Sequence, residues 1–141
     1  VSFEIVPGIS SAFSVPAIAG IPVTHRRIAR AVTVVTGHCE DPNESVDWSA
    51  HAKTGATLVV LMGTANLPKI SADLLNAGMN PFTPVAIIHN GTRVDQTISR
   101  LTLAEAHLAE AQAPSIIVIG ETAGLDLRDP NTVHELIASG S

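Results

Sequence analysis

Thr57-Leu58-Val59-Val60-Leu61-Met62-Gly63 is the stretch whose reading decides the fold. It carries no charge and no polar alternation, so neither side of the segment is meant for water. A run this short, closed by glycine, predicts a strand buried on both faces. Ala31-Val32-Thr33-Val34-Val35 precedes it with the same character, and Pro84-Val85-Ala86-Ile87-Ile88 and Ser115-Ile116-Ile117-Val118-Ile119-Gly120 follow. Helical signals fill the gaps. Asp47 can cap a short helix over 48–53, and Thr64 or Asn66 a longer one reaching 77, with Leu67, Ile70, Leu74 and Leu75 at helical spacing and Gly78 as its stop. Residues 96–103 alternate and predict a half-exposed, antiparallel strand, followed by an Ala/Glu-rich helix over 104–112. Buried strands alternating with helices predict an α/β domain: a mixed, mostly parallel five-stranded sheet with helices on both faces.

Upstream, residues 3–6 read as a short strand ending in Pro7-Gly8. A small-residue helix follows over 11–19, capped by Ser10 or Ser11 and interrupted by Pro16. A second proline turn, Gly20-Ile21-Pro22-Val23, delivers Thr24-His25-Arg26. Residues 39–45 read as a polar loop, and the tail over 125–141 as polar with one helical turn near 133–137. The strand-like opening at Val1, without an initiator Met, suggests a piece of a longer protein.

With 141 residues, 45% hydrophobic and 15% charged, the chain can bury one sizeable core. A net charge of −5 argues against nucleic acid as partner, yet Arg26, Arg27 and Arg30 concentrate three of the eight cationic residues. Cys39 is the single cysteine, which excludes an internal disulfide and fits a reducing cytosol. No apolar run approaches the ~20 residues that span a bilayer.

The informative regularity is where the apolar strands stop: Pro7-Gly8, Thr36-Gly37-His38, Met62-Gly63, Asn90-Gly91-Thr92 and Gly120. Open α/β sheets bind ligands beyond the carboxyl ends of their strands, where glycine allows close approach. GxGxxG, GxxxxGK[ST] and GxSxG are all missing. A Ser-His-Asp reading needs Ser10 or Ser11 with His25 and Asp47, and nothing in the sequence fixes that geometry. The six histidines lack metal-ligand spacing, so no metal is expected. The arginine group suits carboxylates or phosphates, which guanidinium binds bidentately.

Val6-Pro7-Gly8-Ile9-Ser10-Ser11, Gly20-Ile21-Pro22-Val23-Thr24-His25-Arg26 and Val34-Val35-Thr36-Gly37-His38 resemble the tetrapyrrole methylase family. Leu61-Met62-Gly63, Thr83-Pro84-Val85-Ala86, Asn90-Gly91-Thr92 and Pro114-Ser115-Ile116-Ile117-Val118-Ile119-Gly120 match it in the same order. The resemblance is strongest to the members that C-methylate uroporphyrinogen III. It implies two α/β domains enclosing S-adenosylmethionine, a homodimer, and methyl transfer to ring positions 2 and 7 to give precorrin-2 and S-adenosylhomocysteine. On this pattern residues 1–8 end the N-terminal domain or link it, 9–124 form the C-terminal domain and 125–141 a tail. The family's Gly-x-Gly-Pro-Gly-Asp loop belongs to the other half and has no counterpart here.

By matching motifs, the resemblance implies cofactor contacts at Ser10, Ser11, Met62 and Gly91. Charge and position make His25, Arg26 and Arg27, with Thr24 beside them, the expected partners for the carboxylates of the implied substrate. It assigns no catalytic base. Two other readings stay open: another tetrapyrrole methylase or a diphthine synthase-like enzyme, and an inactive dimerisation and half-site module.

Overall fold

The computed structural model describes residues 1–38 and 45–140. Most of the loop expected over 39–45, with Cys39, lies outside the described residues. The elements run α1 (Ser11–Ile18), β1 (Val32–Thr36), α2 (Trp48–Ala52), β2 (Thr57–Leu61), α3 (Leu67–Asn76), β3 (Pro84–His89), β4 (Thr97–Thr102), a 3₁₀ turn (Leu103–Leu108), β5 (Ser115–Ile119), a second 3₁₀ turn (Glu121–Gly124) and α4 (Pro130–Ala138).

One five-stranded sheet has the order β1-β2-β5-β3-β4. It is mixed, as expected, but the expected mostly parallel pairing is corrected. Only β1 and β2 pair in parallel; β5 is antiparallel to both β2 and β3, and β4 is antiparallel to β3. The physical reason is simple: an apolar run reports burial on both faces and carries no sign of direction. β5 is inserted between two strands that run the other way.

Both faces are covered. Leu58, Val60, Val85, Ile87, Ile117 and Ile119 point into a core closed by Leu67, Ile70 and Leu74 of α3, Trp48 of α2, and Leu103 and Ala106 of the first 3₁₀ turn. Ala86, Ile88 and Val118 face the other way, onto Val15, Ala19 and Ile21 of α1 and its following turn, and onto Ala123. Alternation within each strand thus feeds two cores, which is why the strands read as unbroken apolar runs.

Local chemistry sets the element ends. The Ser10 hydroxyl accepts from the Ala12 amide at 3.3 Å and caps α1. Asp47 caps α2 through the Ala50 amide at 3.1 Å. Asn66 precedes α3 but makes no cap; its amide donates instead to the Gly37 carbonyl at 2.7 Å, tying the end of β1 to the start of α3. At the opposite end of the sheet, the buried Thr57 and Thr122 hydroxyls bond at 2.8 Å.

Three expectations fail at the margins. Residues 3–6 form no strand; residues 1–10 carry no regular structure, with Phe3, Ile5, Val6 and Ile9 exposed. A strand needs a neighbour to satisfy its backbone, and none pairs with this segment. The helix expected over 104–112 is a shorter 3₁₀ turn, closed at its start by a Thr102–Glu105 capping box. The tail holds a nine-residue helix, α4, which Asp129 caps and Pro130 begins.

The tail is also tied to the body. The Leu127 amide donates to Gly20 O at 2.8 Å, and Asp126 accepts from Arg128 at 2.8 and 2.7 Å with Arg100 at 3.7 Å. The Arg128 hydrogen bond, helped by the charge of Arg100, holds the Asp126 carboxyl at about 2, below its ordinary 3.8. A lowered folded-state value means the stabilisation is complete above 3.8 and disappears as pH falls through about 2. Allowing for solvent screening, Asp126→Asn is expected to lose about 1 kcal/mol at neutral pH. Denaturation curves of the two proteins should converge between pH 4 and pH 2; a constant gap across that range would refute the assignment.

Candidate functional site at the ends of β2 and β3

Because β1, β2 and β3 share one direction, Gly37, Met62-Gly63 and Asn90-Gly91 stand at one edge of the sheet. Gly120 does not. Antiparallel β5 carries it to the opposite edge, where its amide donates to Pro84 O at 3.0 Å. The strand-end argument therefore holds for three of the glycine ends and fails for the last, and Pro7-Gly8 follows no strand.

Two of these ends are built by close backbone approach. A Cβ on Gly37 would lie 2.5 Å from the Gly63 Cα and 2.9 Å from Val60 Cγ1. A Cβ on Gly91 would run into Val15 of α1, 2.7 Å from its Cγ2. Gly91 is thus where the turn after β3 presses on the first helix.

That contact makes a cavity of about 200 Å³, lined by Ser11 and Val15 of α1, Ile88, Asn90, Gly91 and Arg93 around the turn, and Pro114, Ser115 and Ile116. Two of the four expected cofactor residues, Ser11 and Gly91, meet here. Ser10 is adjacent but outside the lining, its hydroxyl occupied in capping. Met62 directly follows Leu61, the last residue of β2. It does not line the cavity. It holds a left-handed φ of 52° and leaves its thioether side chain 66% exposed, a strained and unburied place for an apolar residue.

Arg93 and Ser115 also face this cavity. Ser115 stands in a matched motif that gives its side chain no site role, and no motif of the sequence includes Arg93. Arg93 is legible there only as a charge within a turn, 3.9 Å from Asp95. Its position follows from the turn geometry, for which no periodic signal exists.

Thr24, His25 and Arg26 come together elsewhere. With Ala29 and Arg30 they line a depression of about 300 Å³. A tight turn makes it: His25 and Ala29 exchange backbone bonds at 2.9 and 3.0 Å, and His25 Nδ1 lies 2.9 Å from Arg26 O. Two residues further, Ala31 O accepts from Thr57 N at the start of β2. The depression therefore lies by the strand starts, and the cavity by the strand ends. Neither hollow contains members of both sets.

The Ser-His-Asp arrangement is absent. The Asp47 carboxylate accepts from Ser49 Oγ at 2.6 Å and from the Ala50 amide, and these bonds hold it below the usual carboxylate range. His25 is turned to its own backbone neighbour. Among the described residues no three His, Cys, Asp or Glu side chains gather as metal ligands, and no helix is long and apolar enough to cross a membrane.

The family model of tetrapyrrole (corrin/porphyrin) methylases matches residues 1–107. The chain belongs to this family. A relative from Methanosarcina barkeri, named S-adenosyl-L-methionine-dependent uroporphyrinogen III methyltransferase, is 48% identical over 132 residues, 89% of this tetrapyrrole methylase chain and 51% of that protein. Siroheme synthase 1 of Yersinia enterocolitica is 46% identical over 127 residues, covering 89% of this chain and 27% of that protein. The fold matches the uroporphyrin-III C-methyl transferase of Thermus thermophilus, solved with S-adenyl homocysteine, with a TM-score of 0.73 at 29% identity. That match covers 84% of this chain and 52% of the solved one. This tetrapyrrole methylase chain thus spans about half the length of the first of these relatives.

Proposed function

We propose that this chain forms one wall of an S-adenosylmethionine-dependent methyltransferase acting on uroporphyrinogen III at ring positions 2 and 7, with precorrin-2 as product. One observation carries the reading: Ser11 and Gly91, selected from family motifs, line a single cavity at the carboxyl edge of the sheet. The 48% identity to a methyltransferase of that name supports the choice of substrate.

The lining fits an amphiphilic nucleoside. Val15, Ile88 and Ile116 offer apolar surface, while Ser11, Ser115 and Arg93 offer hydroxyls and a cation. Bound here, S-adenosylmethionine would supply a methyl group already activated by its sulfonium. The protein's contribution is then alignment and a dry cleft, for which no strong base on this chain is needed. The exposed Met62 side chain adds a soft apolar surface at the same edge.

The cavity of about 200 Å³ falls short of the roughly 300–1,000 Å³ of complete small-molecule sites. That shortfall, with the exposed apolar residues in 1–10, favours a two-walled site: 1–8 as the link to a first domain, 9–124 as the second domain and 125–141 as its tail. By itself the chain is then a half-site and dimerisation module. We place the whole protein in the cytosol as a homodimer.

Arg26, with Thr24 and His25, is assigned to peripheral carboxylates of the substrate, because its exposed guanidinium suits bidentate pairing. Its distance from the cofactor wall along the sheet keeps it away from the reacting carbons. In the whole enzyme, Arg26→Ala is expected to raise the KM for uroporphyrinogen III about tenfold with kcat little changed. An unchanged KM would remove Arg26 from the substrate site. Methylation of a later precorrin, with none on uroporphyrinogen III, would instead assign the protein to another step of the family.

A further inference from the structure

The turn after β3 is strained on both sides of Gly91. Asn90 and Thr92 hold left-handed φ values of 48° and 72°, and a β-branched residue there is a true outlier. Such a backbone persists only where its surroundings over-determine it. The ties are specific: Thr92 N donates to Gln96 Oε1 at 2.8 Å, Asn90 Nδ2 to Asp95 Oδ2 at 2.7 Å, and Asn90 N to Pro114 O at 3.1 Å. Arg93 N returns to Asn90 O at 3.0 Å and Gln96 N to Arg93 O at 3.1 Å. Asp95 is well exposed and shared with Arg93, whereas Gln96 is half-buried and holds a backbone amide of the turn directly.

We propose that Gln96 is a positioning residue for the cofactor wall: its carbonyl fixes Thr92 in the left-handed region, and this sets Gly91 against Val15 and Arg93 at the cavity. Gln96 does not line the cavity, so it acts through the turn. The inference rests on the reading of that cavity as cofactor-binding. Gln96 works by pre-organisation: without it, ligand binding must also order the turn.

The test uses the full chain, with S-adenosylhomocysteine as probe and nuclear magnetic resonance as readout. Gln96→Leu is expected to speed exchange of the Thr92 amide at least about fivefold without ligand, leaving β3 and β4 amides unchanged. The same variant should weaken S-adenosylhomocysteine about tenfold. Gln96→Glu keeps the acceptor and should stay within about threefold of the unmodified chain. Adding Thr92→Gly to Gln96→Leu should restore affinity, since glycine enters the left-handed region without help. Unchanged Thr92 exchange overturns the proposal alone, as does a loosened turn with unaltered affinity. No response of the unmodified chain to S-adenosylhomocysteine would overturn the cofactor reading and this proposal with it.

Discussion

Gly37→Ala is expected to destabilise the chain by about 3 kcal/mol and lower its melting temperature by about 10 °C. The new methyl would stand 2.5 Å from the Gly63 Cα, so the obstacle is backbone and cannot rotate away. Val60 Cγ1 at 2.9 Å and Ile70 Cδ1 at 3.1 Å close the other sides, and both side chains belong to the buried core. Relief requires parting the ends of β1 and β2, which also stretches the Asn66–Gly37 bond. Gly8→Ala is the control, because nothing lies within 4 Å of a Cβ there. Equal thermal stability of the two variants would contradict the packing described.

The second large effect is at Gly91. Gly91→Ala drives a methyl into Val15, which is buried on α1, and is expected to cost about 2–3 kcal/mol. Here the obstacle is a side chain, and it can be removed. Val15→Ala alone should cost about 1–2 kcal/mol through lost burial. The double variant should recover about 2 kcal/mol relative to the sum, because each change makes room for the other. Additive losses in denaturant unfolding would show that Gly91 and Val15 do not press on each other.

Much of this architecture is legible in the amino-acid sequence. The four apolar runs between 31 and 120 form strands within about a residue of their expected limits, since burial on both faces leaves a strong local signal; the run at 3–6 does not. The half-exposed alternation of β4 announces an antiparallel strand, and the structure places it at the edge of the sheet. Direction is what local sequence does not carry. The antiparallel insertion of β5 is decided by how connections fold back, and it alone moves Gly120 to the far edge. Asp129-Pro130 is a helix-start signal in plain view, yet the sequence predicts only one turn near 133–137, because the large apolar positions of α4 are confined to Val133, Leu136 and Ile137 and the helix buries no residue.

The site divides in the same way. Ser11 and Gly91 are reachable because strand ends and helix starts are local features, and the family motifs fall on them. Arg93 and Gln96 are not, because side-chain bonds within a strained turn follow no period, and the matched motif that holds Ser115 gives its side chain no role. The grouping of Thr24, His25 and Arg26 is legible from adjacency, but their place by the strand starts, away from the cavity, depends on the path of α1 across the sheet.

The central claim is that the edge holding Ser11, Gly91 and Met62 is one wall of an S-adenosylmethionine site. Titrating the ¹⁵N-labelled chain with S-adenosylhomocysteine tests it directly. A wall lacking its opposite half should bind weakly, at about millimolar Kd, or roughly 4 kcal/mol. The predicted result is a set of amide shifts confined to Ser11, Met62, Asn90–Arg93 and Ser115. Shifts confined to residues 24–30, or none at millimolar ligand, would contradict the account.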